Sequence, residues 1–328
     1  MNISKDKFSE ALSILNKEFK VFLPVGEGND QLFKAWDGNK APNFTGNPTL
    51  PPKDLLFPKS EALYTVDLTS NGIAEPIIET KQAVVGIRPC DVRSILNLDA
   101  AFTEKGYSDS NYVKRRDNLT VIAMACISVP SPTCFCDSLG ASPTEAPGTD
   151  VLLSETTDGY FVEFLTDKGN DIKTLWNELL EDGGSTKPEA PSCELQVSKH
   201  SDLPAILIDK FDDQMWAKLS EACIGCGCCT YVCPTCYCFD INNQKHGAEV
   251  TTFRCWDSCM FSDYSRMAGG HNPRPTKKER LRNRYLHKFA YFDDRYGKTL
   301  CVGCGRCIAK CPAGLDITNV IESIEGGK

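Results

Sequence analysis

The sequence predicts two domains, an α/β domain over residues 1–210 and a mainly α-helical, cysteine-rich domain over residues 211–328. The chain has 328 residues, which suits two domains of roughly 150 residues each. In the first part, short apolar runs alternate with amphipathic segments, and this pattern favours an α/β fold. The second part holds 13 of the 18 cysteines, between Cys223 and Cys311, and favours short helices and loops.

Local patterns predict the individual elements. A helix is expected over residues 5–19, because apolar side chains recur there at helical spacing. Strands are expected at 20–25, 83–87 and 119–126, as a pair within 150–166, and at 203–208. Further helices are expected over 92–102 with Asp91 as the N-cap, over 171–181, and over 211–222. Residues 38–60 and 128–149 are rich in turn-forming residues and predict irregular surface segments.

Composition narrows the classes of function. The net charge of −8 argues against nucleic acid as the main partner. The chain begins without a basic-then-apolar signal, and no apolar run approaches the ~18 residues of a membrane span. We therefore expect a cytoplasmic protein without a membrane span. In a reducing compartment, clustered cysteines more often bind metal or do redox chemistry than form disulfides.

One cysteine run occurs twice in the second domain. The two copies are Cys223-x2-Cys226-x2-Cys229-x3-Cys233-Pro234 and Cys301-x2-Cys304-x2-Cys307-x3-Cys311-Pro312. Three thiolates at this spacing can wrap one face of a 4Fe–4S cluster, while the fourth points away and can reach a second cluster. The repeat therefore predicts two clusters, one on Cys223, Cys226, Cys229 and Cys311, the other on Cys301, Cys304, Cys307 and Cys233. Zinc also favours paired cysteines, but it does not require this third and fourth spacing twice over.

The second domain is thus expected to be a dicluster ferredoxin-like domain with a cysteine-containing insert at 234–300. Eight further cysteines form two sets, Cys236, Cys238, Cys255 and Cys259 in the insert, and Cys90, Cys126, Cys134 and Cys136 in the first domain. Each set could hold another cluster or a zinc ion, or remain as buried thiols. Cys90 and Cys126 both lie at the C-terminal ends of predicted strands, so they are expected to meet at one edge of the sheet. Cys193 and Cys228 are expected to be unligated, which leaves two to four clusters.

Two other features carry charge. Residues 277–288 contain six Lys or Arg and one Glu, which favours either a solvated helix or a docking face for an acidic partner. Arg88 is expected either to hold an anionic group or to pair with Asp91. No G-x-G-x-x-G follows a predicted strand and no nucleophile lies beside a candidate base, so we assign no catalytic residue.

Several long strings resemble one protein family. They are Gly86-Ile87-Arg88-Pro89-Cys90-Asp91, Thr133-Cys134-Phe135-Cys136, Cys233-Pro234-Thr235-Cys236-Tyr237-Cys238-Phe239-Asp240, Trp256-Asp257-Ser258-Cys259, residues 268–275, His287-Lys288-Phe289 and residues 301–307. Through them the chain, from about Val84 to Ile317, resembles the family of iron–sulfur electron-transfer subunits found in anaerobic sulfite reductase and, as the β subunit, in sulfhydrogenase.

This resemblance implies a relay function and two partners. In that family a flavin-containing subunit oxidises NAD(P)H, and the iron–sulfur subunit passes electrons to a catalytic reductase or hydrogenase subunit. We therefore expect an electron-transport subunit of an anaerobic oxidoreductase complex rather than its catalytic subunit. One alternative is a flavin-binding subunit of the deazaflavin-dependent hydrogenase β type, which is similar around Gly86 to Asp91. Another is a redox-sensing or zinc-binding protein.

Overall fold

The computed structural model describes residues 1–28, 31–183, 188–197 and 202–325. Its strands are β1 (Asn2–Ser4), β2 (Lys20–Val25), β3 (Leu32–Ala35), β4 (Ser60–Asp67), β5 (Gly72–Ala74), β6 (Gln82–Ile87), β7 (Leu119–Met124), β8 (Val151–Glu155), β9 (Gly159–Phe164), β10 (Phe239–His246) and β11 (Glu249–Trp256). Its α-helices are α1 (Lys5–Glu18), α2 (Pro89–Thr103), α3 (Ser110–Asp117), α4 (Asp167–Trp176), α5 (Leu203–Asp209), α6 (Met215–Ser220), α7 (Cys228–Tyr231), α8 (Lys277–Leu286), α9 (Phe292–Tyr296), α10 (Arg306–Ala309) and α11 (Ile317–Glu325). Single 3-10 turns lie at Pro52–Leu55, Asp137–Leu139, Asn177–Leu179 and Asp263–Ser265, and a π-helical turn at His287–Tyr291.

A seven-stranded sheet forms the centre of the first part, in the order β1-β9-β8-β7-β6-β2-β3. The neighbours β2, β6, β7 and β8 pair in parallel, while β3, β9 and β1 are antiparallel. Every residue of β7 is buried, as expected for a parallel strand covered on both faces. Helices α1 and α4 pack on one face, and α2 and α3 pack on the other. The predicted α/β character of this part is confirmed.

Local sequence explains where most of these elements begin and end. Helix α1 begins after Ser4, whose side chain accepts a hydrogen bond from the backbone N–H of Lys7, and its apolar side chains face the sheet. The predicted strands at 20–25, 83–87 and 119–126 are confirmed as β2, β6 and β7, and the pair within 150–166 as β8 and β9. The predicted helix at 211–222 is shorter, as α6.

Three local predictions were wrong. Residues 203–208 form helix α5 rather than a strand, because Pro204 suits the first helical turn and Leu203 and Leu207 share one buried face. Helix α2 begins at Pro89 with Arg88 at the N-cap, so Asp91 lies within the first turn and does not cap the helix. The helix expected over 171–181 begins four residues earlier, at Asp167, because Thr166 caps it by accepting from the Gly169 N–H.

The second part contains a β-hairpin as well as helices. Strands β10 and β11 pair along eight residues each, and β11 also pairs with β4 of the first part. Together with β5 they form a four-stranded antiparallel sheet. The expectation of a mainly helical second domain is therefore not confirmed, and the boundary near residue 210 stays a prediction.

Candidate metal centres

The four cysteines predicted for the first cluster line one cavity. Cys223, Cys226, Cys229 and Cys311 surround it, with Arg284 among the other lining residues. Gly227, which precedes α7, has a φ of 74°, a left-handed conformation that allows the sharp turn between two of these cysteines. The backbone N–H of Leu315 donates a hydrogen bond to the Sγ of Cys311 at 3.2 Å. Cys226 is exposed, so this site lies at the protein surface.

The four cysteines predicted for the second cluster meet deeper in the protein. Cys233, Cys301 and Cys304 are each 8% exposed. Cys301 and Cys304 both lie close enough to Cys233 and Cys307 for negative charge on those thiols to raise their pKa. Cys307 also lines the first cavity, so the two sites adjoin. The geometry agrees with the exchange of the fourth ligand between the runs, and the ligand assignment stays a prediction.

The insert cysteines are only partly brought together. Cys236, Cys238 and Cys259 interact with one another, and the Cys259 thiol donates a hydrogen bond to Cys238. Cys236 also donates to Cys233, so this set touches the second site. Cys255 lies in β11, opposite Asp240 and Ser60 of the two neighbouring strands. Sequence spacing did not anticipate that a strand would carry this fourth member of the set.

The first-domain cysteines gather around a different fourth member. Cys126, Cys134 and Cys136 interact with one another and with Cys193, which the sequence pattern predicts to be unligated. Cys90 packs against Val302 and Cys304 of the second run, and Cys136 is the first-domain cysteine that packs against the same residues. A signal for Cys193 was present in the sequence, since the first domain contains five cysteines and the predicted set used four.

The first-domain loop and the second run are in backbone contact. The N–H of Phe135 donates to the carbonyl of Gly303 at 2.9 Å. A Cβ at Gly303 would collide with the backbone of Cys136, and a Cβ at Gly305 would collide with the carbonyl of Thr133. Glycine at both positions therefore allows the Cys-x-Cys loop to lie directly against the second cluster site.

Buried cations surround these cysteines. Lys53, Arg284 and Lys288 are 4%, 4% and 2% exposed, and none forms a salt bridge to a carboxylate within the described residues. Lys288 Nζ lies 3.1 Å from the Sγ of Cys233. Lys53 Nζ donates to the carbonyl of Cys236 at 2.9 Å. Three of the six cations of the basic segment 277–288, at positions 280, 284 and 288, are thus buried rather than solvated or open to a partner, whereas those at 277, 278 and 282 are partly exposed.

These cations fit an anionic cofactor. The Nε and Nη2 atoms of Arg284 are buried without a hydrogen-bond partner in the described part of the chain, and they lie beside Cys229 and Cys307. An unpaired buried cation is costly, so an adjacent charge of opposite sign is expected. A thiolate-ligated iron–sulfur cluster supplies such a charge.

Burial raises the pKa of several candidate ligands. Desolvation raises the pKa of Cys229 and of Cys301 to about 11. Such thiols keep their protons at neutral pH until iron displaces them, so metal binding releases protons. Cys238 differs, because the hydrogen bond from the Cys259 thiol stabilises its thiolate and lowers its pKa.

A buried ion pair connects the two parts of the chain beside these sites. Arg306 donates to both carboxylate oxygens of Asp91, at 2.5 and 2.7 Å, and to the carbonyl of Pro48. The suggested pairing of Arg88 with Asp91 was therefore wrong. Arg88 is itself buried, and it donates to the carbonyls of Ala125 and Phe44.

Comparison with known proteins agrees with this geometry. Residues 222–315 match the family model described as a 4Fe-4S dicluster domain. Over 337 aligned positions, covering 100% of this chain and 98% of the relative, the chain is 30% identical to "Sulfhydrogenase 2 subunit beta" of Pyrococcus furiosus. The chain belongs to the sulfhydrogenase beta subunit family. No solved structure matches it.

Membership of the sulfhydrogenase beta subunit family confirms the resemblance seen in the sequence. The matched domain contains both ferredoxin-type runs, so this family member binds 4Fe–4S clusters and is an iron–sulfur protein of electron transport. Among the described residues, no helix is both long and apolar enough to cross a membrane.

Proposed function

We propose that this chain relays single electrons between a flavin-containing subunit that oxidises NAD(P)H and a catalytic reductase or hydrogenase subunit. The observation that carries the proposal is the pair of adjoining four-cysteine sites, one open to the surface at Cys226 and one enclosed. The Pyrococcus furiosus relative is named as a subunit of a sulfhydrogenase, which supports the presence of partner subunits.

Besides binding the clusters, the residues of the chain have two tasks in such a relay. 4Fe–4S clusters supply one-electron transfer, with potentials that depend on hydrogen bonds, charge and solvent exposure. Cys301 and Cys304 lie in a site from which water is largely excluded. Lys288 places a positive charge against Cys233, and the Leu315 N–H places a partial positive charge against the sulfur of Cys311. Both favour the form that carries the added electron, so both raise the potential.

The first site is the proposed point of electron exchange with one partner. Ile224 is 65% exposed and stands close to the exposed Cys226, on the rim of the first cavity. An apolar rim around an accessible site suits a protein partner that excludes water on docking. Electrons would pass from here to the enclosed second site, which adjoins the insert cysteines and the first-domain loop.

The environment of Arg88 supports the relay over the flavin-binding alternative. The chain resembles the deazaflavin type around Gly86 to Asp91, so a flavin held at this segment would need free space beside it. Here Arg88 is 6% exposed and donates to backbone carbonyls of the chain, while the space beside Gly86 is filled by the Phe44 ring.

Anaerobic purification from the native host tests the proposal. We expect the chain to co-purify with a flavoprotein and a metal-containing catalytic subunit, and to carry at least about eight irons. When the chain is separated from its partners, its visible spectrum should lack flavin bands, and NADPH should reduce it only after the flavin subunit is returned. Stoichiometric flavin on the isolated chain, with direct reduction by NADPH, would establish the flavin-binding alternative instead.

A further inference from the structure

We propose that Cys126, Cys134, Cys136 and Cys193 bind a further iron–sulfur cluster in the first part of the chain. In this assignment Cys193 takes the position that sequence spacing gave to Cys90. The ligand set stands on its own geometry, and only its role as an additional relay centre rests on the proposed function.

The four thiols lie near one another. The electrostatic influence of neighbouring thiols on the pKa links Cys126, Cys134 and Cys136 to each other and to Cys193, and the Cys136 and Cys193 side chains are adjacent. Cys126, Cys134 and Cys193 are 7%, 5% and 4% exposed, so the group is enclosed by protein. Four cysteine thiolates are the usual ligand set of a 4Fe–4S cluster.

The segment that carries Cys193 is fixed to the Cys-x-Cys loop. The Asp137 carboxylate accepts from the backbone N–H of Cys193 at 2.9 Å and from Gln196 Nε2 at 3.1 Å. The Ser138 hydroxyl donates to Gln196 Oε1 at 2.9 Å and accepts from the Val197 N–H at 3.1 Å. Because Asp137 and Ser138 directly follow Cys136, these bonds hold the two cysteines together across 57 residues of sequence.

Cys90 lies between this group and the second run. It is in the first turn of α2 and packs against Val302 and Cys304, and of the four proposed ligands Cys136 packs against the same residues. The neighbouring Asp91 is fixed by Arg306 at 2.5 Å, which keeps this turn against the second run. Cys90 is therefore part of the wall of the second cluster site.

Charge favours a cluster at the four thiols. The Arg88 guanidinium lies against Cys126 and supplies positive charge inside the protein. Phe135, between two of the proposed ligands, bonds to Gly303 of the second run, so the further cluster would adjoin the second one.

Two variants of the full chain, purified anaerobically with its partners, test the assignment. Cys193→Ser should lose about four irons and the matching acid-labile sulfide per chain, together with one reduced-state EPR signal. Cys90→Ser tests the alternative ligand set, in which Cys90 replaces Cys193. If Cys193 is the ligand, Cys90→Ser should keep the cluster of the first part of the chain and its EPR signal. Full iron in Cys193→Ser, or an equal loss in Cys90→Ser, would overturn the proposal. The proposal would also be overturned if the unaltered chain held zinc instead of iron at this site and Cys193→Ser lost that zinc.

A third variant covers the case in which Cys193→Ser fails to fold. Cys193→Asp offers an oxygen ligand, and it should keep the iron while shifting the g-values of one EPR signal. A spectrum identical to that of the unaltered chain would overturn the assignment. In each case, about eight irons from the two ferredoxin-type runs should remain, and their absence would count against the proposed function rather than against this site.

Discussion

Replacing Lys288 tests how the chain sets the reduction potential of its second cluster. Its Nζ lies 3.1 Å from the Sγ of Cys233, and the residue is 2% exposed. At this distance a unit charge on the sulfur interacts by about 5 kcal/mol at an effective dielectric constant of ~20. An added electron is shared about equally among the four corners of the cluster, each an iron with its thiolate. With the quarter at the Cys233 corner treated as a charge at its sulfur, removing the ammonium costs ~1.3 kcal/mol, or about 60 mV.

Lys288→Met should therefore lower the midpoint potential of one cluster by about 60 mV, since the positive charge favours the reduced form. The assay is an anaerobic redox titration followed by EPR. Lys288→Arg keeps the charge and should shift the potential much less. Lys245→Met, which alters an exposed residue of β10, should leave every potential unchanged. An unchanged or higher potential in Lys288→Met would refute the electrostatic role.

Three further predictions concern other parts of the structure. Cys301→Ser should lose about four irons per chain, whereas Cys228→Ser, whose thiol bonds the Lys310 carbonyl at 3.2 Å, should lose none, and equal losses would contradict the ligand assignment. Burial lowers the pKa of His287 from 6.5 to about 4, so the neutral ring stabilises the fold above pH 6.5 and this stability is lost as pH falls. At pH 5 the free energy of unfolding, measured by chemical denaturation, should be about 2 kcal/mol lower for this reason. His287→Gln should make the free energy of unfolding depend less on pH, and an unchanged pH dependence would show that other groups cause it. Arg306→Met leaves Asp91 buried without its partner and should lower the free energy of unfolding by about 3–5 kcal/mol. Adding Asp91→Asn to this variant should restore part of the lost free energy of unfolding. A double variant that is no more stable than Arg306→Met would argue against a direct ion pair.

The two ferredoxin-type runs were predictable because their information is local. Spacing within eleven residues places three thiols around one centre, and the helical turn after them directs the fourth elsewhere. The structure brings Cys233 to the run at 301–307, in agreement with this reasoning. The strands β2, β6 and β7 were predictable for a similar reason, since each is a short apolar run.

Long-range contacts account for what sequence reasoning missed. Cys193 reaches Cys136 through bonds made by Asp137 and Ser138, and nothing in the local pattern around Cys193 indicates them. The inward face of α8 was also missed, because a run of Lys and Arg is usually solvated. The available signal was the spacing of four residues between Arg280 and Arg284 of α8 and Lys288 of the π-helical turn that follows, since it places three cations on one face.

Helix α5 shows how tertiary context overrides a local apolar pattern. The run from Leu203 to Ile208 is short and continuous, so periodicity alone does not distinguish strand from helix. Pro204 was the better signal, because proline suits the first turn of a helix and removes a hydrogen-bond donor from a strand.

Rapid freeze-quench EPR of the intact complex tests the relay most directly. After mixing with NADPH, the cluster signals of this chain should appear within the time of one turnover, and they should decay when the terminal acceptor is added. Turnover that proceeds at full rate while these clusters stay oxidised would contradict the account, because electrons would then bypass the chain.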